Sequence, residues 1–104
     1  MASLEILDTF QVHIKLPEIF TKRFVSFIPQ QRQLVTELLE KRIILNYALS
    51  MDRSNLWVTI QAKNQLAVMD ILATFPIIND VKVEIFELAF FDSAHIGMPE
   101  IIMN

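Results

Sequence analysis

The 104-residue sequence contains no cysteine, which excludes disulfide scaffolds, thiolate metal sites and cysteine nucleophiles. Its single glycine is too few for a glycine-rich loop that cradles phosphate. No apolar stretch approaches the roughly 20 residues needed to span a bilayer. No charged-then-apolar leader with a small-residue cleavage site opens the chain, so a cytoplasmic location is expected. The net charge is only −3 and the basic residues are scattered, unlike the clustered Lys/Arg footprint of a nucleic-acid binder. Neither histidine, His13 or His95, belongs to a His-x-x-x-His or acidic cluster, so no metal-ligand set is recognisable. Ser26, Ser50 and Ser54 stand in no nucleophile-elbow context. No cofactor, no metal, no nucleic acid and no membrane is expected.

What the chain does have is apolar surface. Hydrophobic residues make up 53% of it, and a small domain buries proportionally less of its surface than a large one. The excess predicts a subunit interface and hence a homo-oligomer, a dimer or larger. The length fits one domain, 1–104, with its core at about 6–91.

Alternation predicts a first strand over 6–15, where Phe10, Val12 and Ile14 alternate with Thr9, Gln11 and His13. Leu16-Pro17 ends it. Phe20, Phe24, Phe27, Ile28, Leu34, Leu38 and Leu39 then recur at helical spacing. Pro29 interrupts that run, which predicts a kinked or two-part helix from about Glu18 to Arg42. Ile43 to Met51 and Leu56 to Ala62 read as a hairpin around the turn Asp52-Arg53-Ser54-Asn55. Asn64 is a suitable N-cap for a second helix with an inner stripe of Leu66, Met69, Leu72 and Ala73, flanked by Ile71 and Phe75. A last strand is expected over Val81 to Phe91. Its apolar parity changes from Val81, Val83 and Ile85 to Phe86, Leu88 and Phe90, which predicts a bulge or a departure from the sheet. The order β-α-β-β-α-β is that of an α+β ferredoxin-like sandwich: a four-stranded antiparallel sheet with two helices on one face. The tail, 92–104, is expected at a subunit interface, with His95 there or on the surface.

Successive side chains of a strand point to opposite sides, so the predicted sheet has two unlike faces. One gathers Phe10, Val12, Ile14, Leu45, Tyr47, Leu49, Val58, Ile60, Val83 and Ile85, and takes the helices. The other gathers Gln11, His13, Asn46, Ala48, Ser50, Trp57, Thr59, Glu84 and Phe86. Two such mixed faces meeting across a dimer would enclose a pocket of apolar walls and a few placed polar groups. His13 is the first catalytic candidate, because imidazole takes and returns a proton near neutrality. Glu84 shares its face by parity and could orient it or act as the partner acid. Gln11, Asn46, Ser50, Trp57 and Phe86 are candidates for substrate contact. Arg53, in the turn, could hold a carboxylate through two N–H bonds.

These residues resemble the muconolactone isomerase family. The likeness runs through Val12-His13-Ile14-Lys15-Leu16-Pro17, the long helix, Asn46 to Met51, and Asn64-Gln65-Leu66 on to Ile71-Leu72-Ala73-Thr74-Phe75-Pro76-Ile77. It ends with Val81-Lys82-Val83-Glu84-Ile85, so it covers about Phe10 to Ser93. The resemblance implies a dimeric α+β barrel and a cofactor-free proton shift on a small lactone bearing a carboxylate. It also implies a glutamate midway along the first helix. This chain carries Gln30 or Gln31 there, and a glutamine cannot accept a proton as a carboxylate does. Gln31 therefore joins the substrate-binding candidates, and any proton shuttle falls to His13 or Glu84. The expectation is a cofactor-independent isomerase for a small carboxylated or lactone-type molecule at a dimer interface. The alternatives are a small-molecule-binding module without chemistry and a structural oligomer on the same scaffold.

Overall fold

A computed structural model of the chain describes residues 6–94. The elements are β1 (Asp8–Lys15), α1 (Lys22–Glu40), β2 (Ile44–Leu49), β3 (Asn55–Ala62), α2 (Gln65–Leu72), a 3₁₀ turn (Ile78–Asp80) and β4 (Lys82–Glu87). The strands form one sheet in the order β2-β3-β1-β4, every pair antiparallel. This is the ferredoxin-like α+β arrangement. Phe10, Val12 and Ile14 of β1 and Leu56, Val58 and Ile60 of β3 are buried with Phe24, Val35 and Leu38 of α1 and Val68 and Leu72 of α2. Both helices therefore cover the same face, and the other face of the sheet is left open.

Local chemistry sets the helix ends. Thr21 caps α1, its Oγ1 accepting from Phe24 N at 3.1 Å, and Asn64 caps α2, its Oδ1 accepting from Ala67 N at 2.9 Å. At the other end of α1, Ile43 N donates to Leu38 O and Arg42 N to Leu39 O, with Arg42 at φ 60°. This is a Schellman closure, which usually uses glycine in the left-handed position. A chain with one glycine, at position 97, uses arginine instead.

Several sequence expectations are corrected. The first helix is one continuous element, Lys22–Glu40, with Pro29 inside it. Proline has no N–H to offer the carbonyl of Val25, and Val25 is exposed, so solvent can meet that group. In α2 the inward stripe is Val68 and Leu72, continued by Phe75. Leu66, Met69 and Ala73 instead face outward. In β2 the core residue is Ile44 rather than Leu45, because a bulge falls between Ile44↔Ile60 and Asn46↔Thr59 and makes Leu45 the extra residue. No bulge interrupts β4, which pairs regularly with β1 from Phe10↔Glu87 to Lys15↔Lys82 and stops at Glu87. The parity change at Leu88 and Phe90 lies past the strand. His95 and most of the 92–104 tail lie outside the described residues.

No helix among the described residues is long and apolar enough to cross a membrane.

Candidate functional site

The residues singled out from sequence fall into two places, one on each side of the sheet. On the open face, register brings His13 of β1 opposite both Trp57 of β3 and Glu84 of β4. His13 Nδ1 lies 3.8 Å from Glu84 Oε1, and Nε2 lies 2.8 Å from Asn55 Oδ1. The Asn55 amide is oriented by its other end, Nδ2 donating to Ser54 Oγ at 2.9 Å. Its oxygen therefore faces His13, and the neutral ring carries its proton on Nε2 and donates it to Asn55. Nδ1 is then a bare nitrogen beside a carboxylate, able to take a proton and pair with it. The indole of Trp57 lies against the imidazole, ring centres 5.9 Å apart.

One step along the same face, Gln11 pairs with Thr59 and Phe86, and Thr59 with Asn46. Thr59 Oγ1 is 2.9 Å from Asn46 Oδ1 and 3.1 Å from Gln11 Oε1. A hydroxyl has one proton, so it donates to one of them at a time. Thr59 is fully buried beneath these two amides, whereas Trp57 is 39% and Phe86 50% exposed.

Ser50 is not a face residue. It belongs to the β2–β3 turn, where Asp52 Oδ1 accepts from Ser50 Oγ at 2.7 Å, Ser54 Oγ at 2.7 Å and Ser54 N at 3.0 Å. Asn55 N donates to Ser50 Oγ at 3.0 Å, and Arg53 N to Ser50 O at 2.9 Å. These bonds hold Arg53 in the left-handed region, φ 61°, which a non-glycine residue rarely enters. They also hold the Asp52 carboxyl down to about 2, against an ordinary 3.8.

A group whose folded value is depressed supports the fold above its unfolded value, and that support is lost as pH falls through the folded one. The Asp52 carboxyl should therefore titrate near 2 in a carbon-detected NMR series. The amides of Arg53 and Ser54 should keep their shifts down to about pH 4 and move together between there and pH 2. A midpoint near 3.8 with static neighbours would show that the turn is not built on this carboxylate.

Arg53 and Gln31 belong to the other side of the sheet. There a cleft of about 430 Å³ opens between α1, β2 and the turn, toward the lower end of the range for small-molecule sites. Its walls are apolar: Leu16, Phe20, Phe24, Ile28, Val35, Leu49, Leu56 and Ile77. Its polar groups are few: Gln31, Tyr47, Arg32, Arg53 and Thr36. Gln31 is only 3% exposed. Its Nε2 donates to the Tyr47 hydroxyl at 3.3 Å, while its Oε1 has no hydrogen-bond partner among the described residues. Such a buried acceptor costs about 1–3 kcal/mol, which makes a polar residue at this position costly to keep. Burial pushes the Tyr47 hydroxyl up, offset in part by the Gln31 bond and by the Arg32 guanidinium. Tyr47 thus keeps its proton and can donate it. Neither Arg32 nor Arg53 forms an ion pair among the described residues.

The geometry separates the sequence candidates. His13, Glu84, Gln11, Asn46, Trp57 and Phe86 share the open face; Gln31 and Arg53 share the cleft; Ser50 helps to shape the turn between them. Tyr47 and Arg32 were missed as site residues. Tyr47 follows the apolar parity of β2 and reads as core, and Arg32 reads as one solvated charge on a long helix.

Fold and cleft together define a ferredoxin-like α+β protein with an apolar recess that two guanidinium groups border. No family model and no curated protein matches the chain. Among solved structures it is similar to a conserved protein of unknown function from Bacteroides thetaiotaomicron VPI-5482, described as a possible oxidoreductase. The two are 18% identical, with 79% of this chain and 97% of that chain covered and a TM-score of 0.44, a likeness too slight to bear on activity.

Proposed function

We propose that the protein binds a small carboxylated molecule in the cleft between α1 and the β2–β3 hairpin. The observation that carries this reading is the pairing of an apolar recess with two unpaired-in-the-fold cations, Arg32 and Arg53. An apolar body would be desolvated against Phe20, Phe24 and Leu56 while its carboxylate meets the guanidinium groups. The cleft lining includes no carboxylate and no histidine, so binding is supported there more directly than proton transfer. Calorimetric titration with 3-phenylpropanoate tests it. Saturable binding at one site per chain is expected, unchanged in a His13→Ala variant. Binding that vanishes with His13, or no binding, would overturn it.

A second reading, favoured by the bare Nδ1 of His13 beside Glu84, is cofactor-free proton transfer of the muconolactone isomerase kind on the open face. It includes self-association: a second copy would cover Trp57 and Phe86 and close the face into a pocket. Turnover of a small lactone that His13→Ala abolishes, by a protein that sediments as a dimer or larger, would favour it over binding alone.

A further inference from the structure

Gln31 stands in a row where the helix calls for an apolar side chain. Phe24, Ile28, Val35 and Leu38 occupy the same inward stripe of α1, and Gln31 fills the place between Ile28 and Val35 at helical spacing. It lines the cleft, it is buried, and its Oε1 is unpartnered among the described residues. That oxygen is covered by its neighbours, but the last torsion of a glutamine side chain is soft. A small turn of the amide brings it to the recess.

The polar end of the cleft therefore offers three different things close together. Arg32 and Arg53 offer positive charge. The Tyr47 hydroxyl, which accepts from Gln31 Nε2, has its own proton left to donate. Gln31 Oε1, on the same amide, offers an acceptor. A plain carboxylate answers the cations and the tyrosine and leaves the acceptor unmet. A carboxylate with a hydroxyl on the adjoining carbon answers all of them, since the two ends of one amide are separated by a single bond angle. An ammonium in place of that hydroxyl would be repelled by the two guanidinium groups.

We infer that the ligand is a 2-hydroxy acid with an apolar or aromatic body: its carboxylate meets Arg32, Arg53 and the Tyr47 hydroxyl, and its 2-hydroxyl donates to Gln31 Oε1. The inference rests on the reading of the cleft as a carboxylate site and goes one step past it, to the donor beside the carboxylate.

The test is calorimetric titration of the full chain with each enantiomer of 3-phenyllactate, with 3-phenylpropanoate, with 2-methoxy-3-phenylpropanoate and with phenylalanine. One enantiomer of phenyllactate should bind about tenfold tighter than phenylpropanoate, the scale of one buried hydrogen bond. The methoxy compound, which lacks the donor, should gain nothing, and phenylalanine should bind weakest. Gln31→Leu should erase the advantage of phenyllactate and leave phenylpropanoate binding as it was. Gln31→Met, close to glutamine in shape and without the acceptor, should do the same if the leucine variant folds poorly. Equal binding of phenyllactate and phenylpropanoate by the unaltered protein would overturn this inference while the carboxylate site stands. Binding of none of the four would overturn both.

Discussion

Replacing Arg32 and Arg53 together by glutamine is expected to weaken 3-phenylpropanoate binding by roughly tenfold to a hundredfold. A hydrogen bond to a charged group contributes about 1.5–3 kcal/mol, and each 1.4 kcal/mol is about tenfold in affinity. Both arginines are exposed at the rim, so solvent and salt discount the gain, and the lower end should apply at physiological ionic strength. Two controls separate charge recognition from a damaged fold. The neutral amide, 3-phenylpropanamide, should bind the variant and the parent alike. Lys82→Gln, a charge on the open side of the sheet, should leave carboxylate binding unchanged. If the double variant binds the carboxylate as tightly as the parent, the guanidinium groups are solvated bystanders and the cleft is no anion site.

Phe75→Ala is expected to lower the stability of the protein by about 3–5 kcal/mol, the usual range for truncating a buried phenylalanine. Phe75 is 1% exposed and follows α2 directly. Its N–H donates to Leu72 O, and its carbonyl accepts from Ile78 N, so the ring is fixed where α2 hands over to the 3₁₀ turn. It continues the Val68–Leu72 stripe onto the sheet. A domain of this size has only about 5–15 kcal/mol in all, so the loss should move the urea midpoint down by roughly 2 M at ordinary slopes. Phe90→Ala is the contrast: that ring is 78% exposed, and its loss should stay within about 0.5 kcal/mol. Equal effects from the two variants would mean that the chain buries its phenylalanines differently from the core described above.

The order of elements was legible because β1 and β3 alternate cleanly and because Asn64 and Pro76 bracket a short helix. The face of α2 was not. Between Gln65 and Leu72 nearly every side chain is apolar, so periodicity cannot choose between Leu66–Met69 and Val68–Leu72; packing against β3 chooses. The bulge at Leu45 was hidden for the same reason, inside the run Ile43-Ile44-Leu45. Parity placed His13 and Glu84 on one face, but only the register His13↔Glu84 makes them neighbours.

The cleft had no signature of its own, since it is a gap between a helix and the edge of a sheet, and no local pattern encodes a gap. One signal was nonetheless present. A glutamine in the stripe Phe24, Ile28, Val35, Leu38 breaks an apolar face that is otherwise consistent. Such local conflicts with a fold are where function is expected.

The most direct measurement is an amide NMR map of the nitrogen-15-labelled protein titrated with 3-phenylpropanoate. Saturable shifts at Phe24, Gln31, Tyr47, Arg53 and Leu56, with His13, Trp57 and Glu84 unmoved, are the result expected of a carboxylate site between α1 and the hairpin. Shifts gathered on His13, Trp57 and Glu84 instead, or none that saturate, would contradict it.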